Sequence, residues 1–201
     1  RQPYIYTMPM HPSPSNIIKF ITLLSPFMLT SYLVLESFFR QDLKGLIFLA
    51  GGVLASFLGL ISRLLFKIRK PAEAHPGCNI FELSILELNA YSAPAFNTLY
   101  LFFTLVYVCA NMWISGNWNI GVFTTLVVLC ISNIFVRLSL KCVGSQDIVL
   151  GSIMGLVFGG LYYMLIYATH PEWTYFSETA SDKQVCKRIG TTKFKCTIRK
   201  S

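Results

Sequence analysis

Acid is what this chain has least of. Asp and Glu number nine in 201 residues, and the four charged types together make up 13% of it. A water-soluble domain carries about 25% charged residues, while hydrophobic residues here reach 54% and the mean hydropathy is +0.56. A soluble globular domain is therefore excluded, and one compact multi-spanning membrane domain with short tails is expected. Nothing resembling a signal peptide leads the chain. The opening RQPYIYTMPMHPSPS is proline-rich, has no apolar core and reads as an extended polar-aromatic arm. It opens on Arg1 rather than Met, which leaves room for a start further upstream.

Metal ligands are also missing. Cys78 with His75 is half a site and no second pair lies near, so neither zinc nor any other cofactor is expected. The six cysteines are scattered. Cys109 and Cys130 fall inside apolar runs, as small packing residues do. Cys186 and Cys196 flank a basic, hairpin-like segment centred on Gly190 and would pair in an oxidising compartment. No repeat pairing and no mid-span ionisable residue supports a transporter, since Glu36 lies near a span end.

What the chain does have is long apolar runs. A hydrocarbon core of about 30 Å needs roughly 20 helical residues, and five runs approach that length: Ile17 to Phe39, Gly45 to Phe66, about Ala95 to Ile114, Trp118 to Val136, and Ile148 to Ala168. The expected fold is all-α, a polytopic transmembrane bundle of about five spans. Pro26 should kink the first span, and Lys19 is close enough to its end to snorkel. AGGVLASFLG in the second span and GSIMGLVFGG in the fifth suit close helix contact. Gly151 and Gly155 form a GxxxG that fits packing within the chain and dimerisation equally well. Between spans two and three, Ile80, Leu83, Ile85, Leu86 and Leu88 alternate with Glu82, Ser84 and Glu87, which predicts a short interfacial helix or re-entrant piece. The organisation is then an arm over 1–16, a helical domain over 17–168 and a basic tail over 169–201.

The net charge of +8 is unevenly placed, with seven of the 17 Lys and Arg between positions 183 and 200. Such a tail suits an anionic surface, whether lipid headgroups, nucleic acid or an acidic protein, and equally suits plain solvation. Five spans put the arm and the tail on opposite sides. The arm's side receives Arg63, Lys67, Arg69, Lys70, Arg137 and Lys141, against Arg40 and Lys44 in the short loops opposite. Short loops thus favour a cytoplasmic arm, while the tail argues the other way.

Three polar clusters share the arm's side: RLLFKIRKP (Arg63 to Pro71), YSAPAFNTLY (Tyr91 to Tyr100) and VRLSLKCVGSQDIVLG (Val136 to Gly151). Taken alone, their charges read as snorkelling anchors and one structural salt bridge. Their order and spacing resemble the type-2 phosphatidic-acid-phosphatase and haloperoxidase superfamily, with its signature K-x6-R-P, P-S-G-H and S-R-x5-H-x3-D. Arg63, six residues, Lys70 and Pro71 match the first motif with both cations exchanged. Pro94 matches the second, followed by Ala95, Phe96 and Asn97 where the family has Ser, Gly and His. In the third, Val136 replaces Ser, Arg137 matches, Val143 replaces His and Asp147 matches. The family usually has six helices, so the resemblance implies one fewer at the N-terminus here.

The resemblance also implies what the substitutions remove. In the family the third-motif histidine attacks phosphorus, the aspartate orients it, and the second-motif histidine protonates the leaving oxygen. Val143 has no lone pair, and Asn97 cannot deliver a proton near neutrality. Phe96 puts a ring where glycine allowed close approach to the phosphate. The expectation is a pseudoenzyme: no catalytic residue, with Asn97 and Val143 as degenerate positions. Arg63, Lys70 and Arg137 remain able to hold a phosphorylated headgroup, and Asp147 would pair structurally with one of these cations. The implied role is structural or tethering, in an endomembrane or a virion's internal membrane, for instance linking that membrane to a viral capsid. Its partners would be the bilayer, including anionic lipids, and a protein reached through the arm or the basic tail, with no specific nucleic acid. The alternative is a lipid or polyprenyl phosphate phosphatase using altered residues.

Overall fold

Runs of about 20 apolar residues have one economical solution in a bilayer, a helix that satisfies its own backbone. The computed structural model describes residues 14–68, 78, 91–116, 118–175, 184–188 and 194–198. It contains five such helices: α1 (Pro14–Arg40), α2 (Lys44–Phe66), α3 (Phe96–Ser115), α4 (Ile120–Ser139) and α5 (Ser145–Thr169). All five are long and apolar enough to cross a membrane. Together they make an all-α multi-pass helical bundle over residues 14–169. The segment expected as an interfacial helix and the arm up to residue 13 lie outside the described residues.

Helix ends depart from the hydropathy limits where polar residues start or stop a turn. Pro14 opens α1, its fixed φ suiting a first helical turn, so the helix begins inside the stretch expected as arm. Arg40 closes it, paired with Glu36 at 3.0 Å. The turn into α2 is tight: the Ser37 hydroxyl donates to Asp42 and accepts from the Gly45 N–H at 2.8 Å. Lys67, in the left-handed region at φ 49°, ends α2 by donating its N–H to the Arg63 carbonyl.

Helix α3 is the centre of the bundle, with 61% of its most apolar stretch buried against 28–39% for the other four. Its closest partner is α5. Gly151, Gly155 and Gly159 recur every fourth residue and sit on the α3 backbone. A Cβ on Gly151 would lie 2.8 Å from the Ala95 carbonyl oxygen, and one on Gly159 2.9 Å from that of Phe103. The GxxxG stripe is therefore consumed within the chain, where small residues let two backbones approach.

Around this contact an aromatic cluster fills the half of the bundle far from the arm. Phe48 on α2, Phe103 and Tyr107 on α3, and Tyr162 and Tyr163 on α5 are all buried. Phe48 stacks on Phe103 at 5.8 Å, and Tyr107 lies 5.7 Å from Tyr162. Beyond α5, a short 3-10 helix (Pro171–Trp173) turns the chain back, and Tyr175 enters the same cluster. Its hydroxyl donates to the Leu33 carbonyl at 3.0 Å, and its own carbonyl accepts from Asn111 Nδ2 at 2.6 Å. Tyr163 completes the set by donating to Asn111 Oδ1 at 2.8 Å. The packed bundle thus extends to Tyr175, past the expected boundary at 168.

All three tryptophans of the chain, Trp113, Trp118 and Trp173, fall at this same end. Trp113 and Trp118 meet edge-to-face at 5.6 Å across the α3–α4 turn. Aromatic residues prefer the headgroup level, so they mark the membrane boundary opposite the arm. In the tail, β1 (Gln184–Arg188) pairs antiparallel with β2 (Phe194–Ile198), in a register that sets Cys186 opposite Cys196.

Candidate functional site

Pro26 leaves a gap in α1 that organises much of what surrounds the three clusters. Proline has no N–H, so the Thr22 carbonyl four residues earlier loses its helical partner. In lipid such a carbonyl must find another donor. It accepts from the Ser25 hydroxyl at 2.7 Å and from Asn133 Nδ2, on α4, at 3.2 Å. The next carbonyl, of Leu23, accepts from Asn97 Nδ2, on α3, at 3.4 Å. One turn further, Thr30 donates to the Pro26 carbonyl and shares a 2.7 Å hydrogen bond with the Tyr100 hydroxyl. Two asparagines from two helices therefore serve the carbonyls around the Pro26 gap in α1.

The end of α2 meets the start of α3. The Ser92 N–H donates to the Ile68 carbonyl at 2.8 Å and ties the segments flanking the connection between the two helices. Within the bundle, the Arg63 guanidinium lies over the Phe96 ring at 5.9 Å from its centroid, a cation–π distance. Gly59, one turn below Arg63, leaves the space the ring occupies: a Cβ there would stand 3.2 Å from Phe96 Cδ2. Arg63 is 3% exposed and Arg137, in the last turn of α4, 2%. Two arginines buried to this degree at one end of a membrane bundle are the main candidates for a functional charge.

The start of α3 also meets the start of α5. The Ala95 N–H donates to the Asp147 carbonyl at 3.1 Å, and Gly151 lies against Ala95 one turn later. The Asp147 side chain reaches back, its Oδ2 accepting from the Gly144 N–H at 2.8 Å. With glycine at the N-cap, this is the returning half of a capping box, and the carboxylate also suits the positive end of the helix dipole. The expected pairing of Asp147 with a cation is not what holds this corner. Among the described residues Asp147 forms no ion pair, because its side chain is turned to the backbone of its own helix start.

Val143 is 3% exposed and packs with Ala95, Cys142, Ile148 and Cys78. Cys78 and Cys142 are joined by a disulfide across 64 residues, linking the α2–α3 connection to the α4–α5 loop. The loop itself is short and ordered by its backbone: the Cys142 N–H donates to the Arg137 carbonyl at 3.0 Å, and Lys141 adopts a left-handed φ of 52°.

The three sequence clusters thus meet at one end of the bundle, Arg63 with Phe96, Ala95 with Asp147, and Val143 with Ala95. Lys70 and Pro71, which belong to the first cluster, lie outside the described residues. Sequence reasoning missed the disulfide and the clasp of Asn97 and Asn133 on α1. The one available signal for the clasp was Pro26 in an apolar run, which requires donors from elsewhere without naming them. Compared with known proteins, the chain matches no family model, no curated protein and no solved structure.

Proposed function

We propose that this is a non-catalytic membrane protein, a lipid-phosphatase-like frame whose reactive positions have become packing and whose role is structural or tethering. The observation that carries the reading is the surroundings of Val143 and Asn97. Where the resembled family needs a nucleophile and a proton donor, Val143 is buried among Ala95, Cys142 and Ile148, and the Asn97 amide donates to an α1 carbonyl. Neither side chain offers a nucleophilic nitrogen or an acid titrating near neutrality. Purified protein is expected to release no phosphate from phosphatidic acid or isoprenyl diphosphates. Turnover that Asp147→Asn abolishes would overturn the reading in favour of an altered phosphatase.

The buried arginines give the proposal its ligand chemistry. Arg63 and Arg137, with Lys70, would hold a phosphorylated lipid headgroup without cleaving it, because charge-assisted bonds to phosphate need no reactive group. Native mass spectrometry should then show phosphatidic acid retained over phosphatidylcholine, and Arg137→Gln should reduce that preference. Equal retention of both lipids would leave the arginines with a purely structural role.

The tethering part of the proposal places the contacts in the arm and the basic tail, on opposite sides of the bilayer. A setting such as a virion's internal membrane beneath its capsid matches a frame without chemistry that carries two contact segments. Removal of residues 176–201 with localisation and assembly unchanged would refute it.

A further inference from the structure

Orientation is set by cations in short loops and close to span ends, where they meet headgroups during insertion. Arg63 and Arg137 are buried, at 3% and 2% exposure, but they stand in the last turns of α2 and α4 and belong to that count. Beside them on the arm's side are Arg1, Lys67, Arg69, Lys70 and Lys141. Lys19, in the second turn of α1, adds one at most. On the opposite side stand Arg40 and Lys44, joined by Lys183, Lys187 and Arg188, which lie within about 20 residues of the end of α5, the range over which such charges act. The arm's side thus holds seven or eight cations against five, a small bias towards a cytoplasmic arm.

The disulfide points the other way. Cys78 and Cys142 sit in the connections α2–α3 and α4–α5, both at the arm's end of the bundle. Disulfides form and persist in oxidising compartments and are rare where thiols are kept reduced. We infer that the arm, the Cys78–Cys142 bond and the Arg63–Arg137 end face an oxidising compartment, and that the chain beyond Tyr175 faces the cytosol. The chemistry is thiol–disulfide exchange. The Cys78 and Cys142 thiols become one disulfide while a disulfide of the compartment's exchange machinery is reduced to two thiols. The product is sheltered, since both cysteines are buried against Ala95, Val143 and Ile148. This inference does not depend on whether the site is catalytic.

One consequence concerns charge. The cytosolic leaflet carries the anionic lipids, which attract cations held near it. The inferred orientation puts the seven cations between 183 and 200 on that side.

The sequence contains no Asn-x-Ser/Thr acceptor, so introduced acceptors report without background. Ile5→Asn creates one in the arm, ahead of Thr7, and Gly190→Asn creates one in the tail, ahead of Thr192. In full-length chains inserted into sealed microsomes, Ile5→Asn should gain a glycan that endoglycosidase removes, and Gly190→Asn should not. Protease added outside the same microsomes should remove an epitope tag from the C-terminus and spare one at the N-terminus. Glycosylation of Gly190→Asn, or loss of the N-terminal tag with the C-terminal one protected, would overturn the inference. If neither acceptor is used, the protease pattern alone decides.

Discussion

Gly155→Ala adds a single methyl group at the contact between α3 and α5, and its cost can be worked from the positions of the neighbours. The new Cβ would run into the Leu99 carbonyl oxygen and stand 2.9 Å from Phe102 Cβ and 3.1 Å from the Phe103 nitrogen. Carbon contacts settle at about 3.5–4.0 Å, and two of these three neighbours are backbone atoms that cannot rotate away. Helix α3 must therefore shift, and overpacking of this kind costs about 1–3 kcal/mol. Alanine recovers about 0.5–1 kcal/mol over glycine within a helix, which leaves a net loss. Gly160→Ala, on the same helix, is the control: its nearest neighbour would be Val106 Cγ1 at 3.9 Å, an ordinary contact. It should keep the propensity gain and lose nothing. The two variants then differ by the clash alone, about 1–3 kcal/mol, which at about 2–4 °C per kcal/mol for a chain of this size separates their midpoints by several degrees. Thermal unfolding in detergent micelles measures that gap directly. Equal shifts in the same direction would refute the seating of the α5 glycines on α3. A change of oligomeric state in Gly155→Ala would return the stripe to dimerisation.

The clasp on α1 predicts a coupling. Asn133→Ala should cost about 0.6–1.7 kcal/mol, the range measured for hydrogen bonds between membrane helices, and less in a Pro26→Ala background, where the Thr22 carbonyl regains a helical donor. A double-mutant cycle on thermal stability shows additivity if the proline gap is not what Asn133 serves. Cys78→Ser opens a loop spanning 64 residues, and chain entropy alone assigns that closure about 4 kcal/mol. Non-reducing electrophoresis and unfolding with and without reductant should show the wild type alone responding to reductant, and a wild type indifferent to it would contradict the bond. Tyr175→Phe removes the donor to the Leu33 carbonyl while keeping the ring in the cluster, so it should cost about 0.5–1.5 kcal/mol, whereas Tyr175→Ala should cost several times more. Comparable losses from both would mean that the ring is not seated.

The five spans were legible because a bilayer imposes length and hydropathy on any helix that crosses it. Their ends were less so. Ser145 to Asp147 are polar yet helical, since a helix start recruits Asp147 as a cap, and hydropathy places the boundary after them. The convergence of Arg63, the Pro94 stretch and Asp147 at one end followed from counting spans. What each side chain does there did not, because the partners are distant in sequence: Asn97 answers to Leu23, 74 residues away, and Cys142 to Cys78, 64 away. Asp147 was expected to face a cation, and its carboxylate instead caps a backbone N–H three residues earlier, a local choice that charge counting cannot see. The glycines of α5 announced a close approach while leaving its partner open, and the identity of that partner is a property of the packed bundle.

Tyr175 gives the C-terminal segment a fixed point of departure. The chain leaves α5 at Thr169, doubles back, and is fastened to the Leu33 carbonyl on α1 and to Asn111 on α3 before continuing into the tail. A pull on the tail would therefore not be spent on unwinding the last turn of α5. It would enter the bundle through two hydrogen bonds and an aromatic ring lodged between helices, and be shared among α1, α3 and α5. Where a load on the tail enters the bundle is thus set by where one tyrosine is tucked.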